Sequence, residues 1–160
     1  MRLEGKVALI TGAGSIGPGW GNGKATAVLF AREGAQIFGV DLDLEAANET
    51  RSLVEGEGGV CLTHAADVSQ ADSVAEMVAA CMTAFGRIDV LVNNVGIART
   101  GGIVTTEEAD WDLVNDVNLK SVYLVCRQVV PVMEAQAKGA IVNIASVAAH
   151  RWTGISYASY

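Results

Sequence analysis

Residues 7–41 constrain this chain more than any other stretch. Val7, Ala8, Leu9 and Ile10 form an uninterrupted apolar run, and a turn rich in glycine follows at once. Residues 24–32 then carry the spacing of a helix, and a second apolar run over 36–40 ends on Asp41. A buried strand, a glycine turn, a helix and a second strand closed by a carboxylate make a βαβ unit of the dinucleotide-binding kind. Glycines permit the sharp turn and let backbone approach a pyrophosphate, whose charge suits the unpaired N–H groups of a helix N-terminus. The terminal carboxylate can accept from adenosine ribose hydroxyls.

Gly12-Ala13-Gly14-Ser15-Ile16-Gly17 matches G-x-G-x-x-G literally, but Pro18, Gly19, Gly21 and Gly23 follow and would stop a helix starting there. The pattern therefore puts Gly12 at the strand exit, Gly21 and Gly23 beside a helix from Lys24, and residues 16–20 in a bulge between them. A glycine-rich turn with no ligand is the plain alternative, and Asp41 argues against it. Asp41 also fits an N-cap for the helix that begins near Leu44.

Downstream, the same alternation continues. Residues 44–55 read as a surface helix and 60–65 as a strand ending near Asp67 and Val68. Ser69 is the expected N-cap of a helix running to Phe85, closed by Gly86. Residues 88–92 form a short strand, 106–134 a long helix that Pro131 should kink or fray, and 140–145 a fifth strand. Strand and helix alternating with short connections imply one α/β domain over 1–160. Its fold is a Rossmann-like, doubly wound parallel sheet of about five strands with helices on both faces. No repeat or linker divides it.

Bulk properties exclude several classes. Hydrophobic residues make up 51% of the chain, yet the apolar runs are strand-length, far short of the roughly 20 residues of a membrane span. A net charge of −7 with no basic cluster argues against nucleic acid as a partner. Cys61, Cys81 and Cys126 lie apart in apolar runs, so they read as buried residues in a reducing compartment, and cytoplasm is the expected location. His64 and His150 have no metal-ligand neighbours in sequence, and no metal site is expected.

Four ordered segments carry a family resemblance. Thr11-Gly12-Ala13-Gly14-Ser15 with Gly21-Asn22-Gly23 resembles the T-G-x-x-x-G-x-G segment of the short-chain dehydrogenase/reductase family, with Ile-Gly-Pro-Gly-Trp inserted between its halves. Asn93-Asn94-Val95-Gly96 resembles the family's N-N-A-G, with Val for Ala. Asn118 is similar in position to its helix asparagine, and Ser146, in Ile144-Ala145-Ser146-Val147, to its catalytic serine. The resemblance covers the whole chain.

It implies reversible hydride transfer between a nicotinamide cofactor and a small alcohol or carbonyl substrate. Gly12, Gly14, Ser15, Gly21, Asn22 and Gly23 would hold the cofactor's phosphates, and Asp41 with Leu42 its adenosine ribose. Asp67 and Val68 would border the adenine, and Asn94, Val95 and Gly96 would lie along the cofactor. Asn118, Ser146 and Tyr160 are the implied catalytic residues, with Tyr160 as acid/base. Tyr157 is the other tyrosine nearby, read as a packing residue. A carboxylate at Asp41 repels a 2′-phosphate, so NAD(H) is expected over NADP(H). The family's lysine would fall at position 164, past the last residue of the sequence. The chain thus resembles the first two-thirds of a longer member, a homo-oligomer when full-length, and by itself is expected to be inactive or nearly so. A non-catalytic dinucleotide-binding module or an inactive fragment is the alternative, and it has no need of the Asn118, Ser146, Tyr160 set.

Overall fold

The computed structural model describes residues 1–158. Its centre is a five-stranded parallel sheet: β1 (Val7–Thr11), β2 (Gln36–Asp41), β3 (Val60–Ala65), β4 (Val90–Asn93) and β5 (Ala140–Asn143), in the spatial order β3-β2-β1-β4-β5. The helices between them are α1 (Asn22–Arg32), α2 (Leu44–Gly56), α3 (Ala71–Phe85), α4 (Glu108–Asn115) and α5 (Ser121–Ala135). The expected Rossmann-like architecture is present.

Alternation along β1 explains why its apolar run is unbroken. Val7 and Leu9 face a core shared with Val74, Met77 and Cys81 of α3 and Val125, Val129 and Met133 of α5. Ala8 and Ile10 face the opposite layer, made with Ala27 and Val28 of α1 and Val54 of α2. A central parallel strand covered on both sides needs no polar face. Among the described residues β3 and β5 are the edge strands, and Ala140–Asn143 of β5 is accessible throughout.

Asp89 holds the base of β1. Its buried carboxylate accepts from the Val7 N–H at 3.0 Å and from Arg87 at 2.7 and 2.6 Å, with Lys6 3.6 Å away. Burial pushes its pKa up, but the Arg87 and Val7 hydrogen bonds and the two cations outweigh that, leaving it below the ordinary value.

Several expectations are corrected at element ends. α1 starts at Asn22, two residues before Lys24, because Gly23 is taken into its first turn. The N-cap position of α3 is Gln70 instead of Ser69; Ser69 donates its N–H and hydroxyl to Asp67 at 2.9 and 2.7 Å, closing a tight turn. β4 spans Val90–Asn93 and β5 ends at Asn143, short of Ala145. Asp43 caps α2, accepting from Glu45 and Ala46 N–H, so Asp41 is not the cap.

The long helix is the largest correction. It divides into α4 and α5 around a π-helical turn, Asp116–Lys120, while α5 runs through Pro131 to Ala135. The break falls at Asn118, whose side chain bonds the backbone of Ile97 in both directions, accepting at 2.8 Å and donating at 2.9 Å. Those two bonds stabilise a widened turn that the local sequence does not announce; such turns recur at functional sites.

Candidate active site

The sheet winds outward in both directions from the β1–β4 boundary, leaving a crevice at the carboxyl ends of these strands, where α/β sheets bind ligands. A cleft of about 950 Å³ opens there. Every residue assigned to the cofactor from sequence lines it: Gly12, Gly14, Ser15, Gly21, Asn22 and Gly23 on one wall, Asp41 and Leu42 beside them, Asp67 and Val68 past β3, and Asn94, Val95 and Gly96 opposite.

The glycine wall is a cradle without room for side chains. A Cβ on Gly23 would sit 1.8 Å from the Gly12 carbonyl oxygen, and one on Gly14 would sit 2.7 Å from the Ala46 Cβ. Gly12 has a φ of +64°, which L side chains rarely adopt. Asn94 ties the cradle to β4. Its Nδ2 donates to the Gly12 carbonyl at 2.9 Å, and its backbone N–H donates to the Thr11 hydroxyl at 3.1 Å. α1 has no acidic residue in its first turn, so its free N–H groups and positive dipole end are available to an anion. These residues fit a dinucleotide diphosphate.

Asp41 stands at the end of β2 with both oxygens oriented. Oδ2 accepts from the Gly14 N–H at 2.9 Å and Oδ1 from the Asp43 N–H at 3.1 Å. Each carboxylate oxygen has a second acceptor direction. Asp41, Asp43 and Asp67 make this end of the cleft acidic; Arg99, paired with Asp110 at 3.4 Å, is the cation among the described lining residues.

The residues expected from sequence to be catalytic are less concentrated. Asn118 reaches the cleft through Ile97, which lines it. Ser146 lies three residues past β5, and parallel pairing of Asn93 with Asn143 puts it at the same sheet end as Gly96. Its hydroxyl accepts from the Ala148 N–H at 3.1 Å, capping a short 3-10 turn over Val147–Ala149. Gly101 forms an isolated bridge with Tyr157, so the segment after Ser146 returns beside the loop after β4. Tyr160 lies outside the described residues.

Sequence reasoning missed two supports. Thr50 of α2 is buried and donates to the Ala13 carbonyl at 2.7 Å, pinning the loop from behind. Lys24 is buried too, and its Nζ meets Glu49 of α2 at 3.1 Å. A threonine or a lysine inside a helix carries no signal of such a contact; only the packing of α1 on α2 creates it.

A family model described as short chain dehydrogenase matches residues 6–160. A 3-oxoacyl-[acyl-carrier-protein] reductase of Thermotoga maritima is 46% identical over 147 residues, covering 92% of this chain and 58% of that protein. A crystal structure assigned to the short-chain dehydrogenase/reductases, from Burkholderia xenovorans, superposes with a TM-score of 0.95 at 51% identity, covering 98% of this chain and 62% of that one. A metagenomic short-chain oxidoreductase in complex with NADP matches with a TM-score of 0.87 at 36% identity, over 96% of this chain and 67% of that one. An NAD+-bound xylitol dehydrogenase matches with a TM-score of 0.88 at 32% identity, over 94% of this chain and 56% of that one. The chain thus spans little more than half the length of the first of these relatives.

Proposed function

Because the chain belongs to the short-chain dehydrogenase family, we propose that it is the cofactor-binding part of an oxidoreductase that exchanges hydride between NAD(H) and a small alcohol or carbonyl compound. The observation that carries this reading is the Asp41 carboxylate, fixed by the Gly14 N–H at the edge of the glycine cradle. A carboxylate there accepts from free ribose hydroxyls and repels a 2′-phosphate, which favours NAD(H) over NADP(H). Both cofactors occur among the structural relatives, so the preference rests on this chain's own residues.

In the proposed site, the α1 N-terminus and the loop from Gly12 to Gly23 hold the diphosphate, while Asp41 and Leu42 take the adenosine ribose. Asp67 and Val68 flank the adenine. Asn94, Val95 and Gly96 run along the remaining length of the cofactor. The bound nicotinamide supplies or accepts the hydride. Ser146 hydrogen-bonds the substrate oxygen, and Tyr160 gives it a proton in reduction or removes one in oxidation. Asn118 orders the backbone of Ile97, which lines the cleft.

The full-length protein is read as a cytoplasmic homo-oligomer. Leu119 and Tyr123, 69% and 58% exposed along the α4–α5 region, support an apolar subunit contact. Among the described residues no helix is long and apolar enough to cross a membrane. Titration calorimetry of this chain with NADH and NADPH tests the cofactor reading, with NADH expected to bind more tightly. Equal affinities would overturn the preference, and no binding of either would overturn the function.

A further inference from the structure

The five residues inserted between the halves of the glycine segment stand apart from the rest of the cleft. Their neck is tight. The Ser15 hydroxyl accepts from the Gly21 N–H at 2.8 Å and donates to the Gly19 carbonyl at 3.4 Å, and a Cβ on Gly21 would lie 3.0 Å from the Ser15 Oγ. Their crown is open. A Cβ on Gly17 or Gly19 would meet nothing within 4 Å. Ile16 is fully exposed and Trp20 is 62% exposed, yet both line the cleft. Two large apolar side chains left in water at the rim of a binding cleft lose hydrophobic stabilisation that a ligand in the cleft would restore.

The position of the neck says which part of the ligand that is. Ser15 follows Gly14, whose N–H holds Asp41 at the ribose end. Gly21 is the N-cap residue of α1, where a diphosphate would rest. The bulge therefore rises between these two subsites. On the reading that the cleft holds a dinucleotide, we propose that Trp20 is a cofactor-positioning residue whose indole packs on the adenosine ribose–diphosphate segment, with Ile16 closing the same side. The bulge is then a second wall on the adenosine half, and it contributes to affinity for any ligand containing ADP-ribose.

ADP-ribose and NADH are the probes, titrated calorimetrically into the full chain and into its Trp20→Ala and Trp20→Phe variants. Trp20 is largely exposed, so neither substitution removes core packing. Trp20→Ala is expected to weaken both ligands by about tenfold, the scale of one aromatic side chain's apolar burial, and Trp20→Phe to recover most of the loss. A chain carrying Trp111→Phe and Trp152→Phe leaves Trp20 as the remaining indole. Its emission is expected to shift to the blue when ADP-ribose binds. Unchanged emission, or a Trp20→Ala affinity within about twofold of the parent chain, would overturn the role of Trp20 while leaving the dinucleotide site standing. Failure of the parent chain to bind ADP-ribose would overturn both.

Discussion

Gly12 and Gly23 meet so closely that a single methyl group cannot fit between them: a Cβ on Gly23 would lie 1.8 Å from the Gly12 carbonyl oxygen and 2.7 Å from Asn94 Nδ2. This contact sets α1 against the end of β1 and brings the helix N-terminus to the floor of the cleft.

Gly23→Ala should therefore push α1 away from β1. A loss of about 2 kcal/mol or more in unfolding free energy is expected from urea denaturation, the scale of an overpacked core, together with loss of NADH binding. A variant of unchanged stability and affinity would show that α1 does not need this approach.

Asp41→Asn should move cofactor preference more than stability. It removes the charge that disfavours a 2′-phosphate but keeps acceptor oxygen for the Gly14 N–H, which is now bonded at 2.9 Å. The ratio of NADPH to NADH dissociation constants should fall by about tenfold, a modest change for one charge near a phosphate. An unchanged ratio would remove Asp41 as the discriminating residue.

Asp89 should make the fold sensitive to acid. Its folded pKa lies below the unfolded value, so its contribution to stability is fully present above the ordinary carboxylate range and is lost as pH falls through the folded value. Denaturation midpoints should thus drop on acidification below about pH 4. Asp89→Ala should flatten that part of the profile and cost about 2 kcal/mol at neutral pH, because the buried Val7 N–H loses its acceptor. A profile of unchanged shape would contradict this role.

Thiol reactivity offers an independent check on the core. Burial pushes Cys61 and Cys81 up to about 12, with Glu55 adding to the effect at Cys61, so neither forms thiolate near neutral pH. Cys126 is only half-buried. Alkylation of the native chain followed by peptide mass mapping should label Cys126 first, and the other two only after denaturant is added. Early labelling of Cys81 would mean that α3 is not seated on the sheet.

The parts of this site that the sequence revealed are those where backbone geometry demands a residue type. Gly12 and Gly23 are glycines because nothing larger fits, and Asp41 closes a strand whose residues 37–40 are all apolar. Such constraints are written in the residues themselves. The π-helical turn at Asn118 is not, because it arises from the bonds that Asn118 makes to Ile97, twenty-one residues earlier in the chain. Periodicity sees only neighbours three and four apart, so it reads one long helix through the turn and looks for the kink at Pro131. Thr50 and Lys24 escape for the same reason, since their partners belong to other elements. Ser69 misleads because serine before a helix looks like a cap, whereas its hydroxyl is already committed to Asp67.

The most direct measurement is a crystal structure of this chain with NADH bound. The expected result has the diphosphate within hydrogen-bonding distance of the backbone N–H groups of Asn22 and Gly23, and the adenosine ribose hydroxyls on the Asp41 carboxylate. Density for the diphosphate away from the α1 N-terminus, or a ribose with no contact to Asp41, would contradict it.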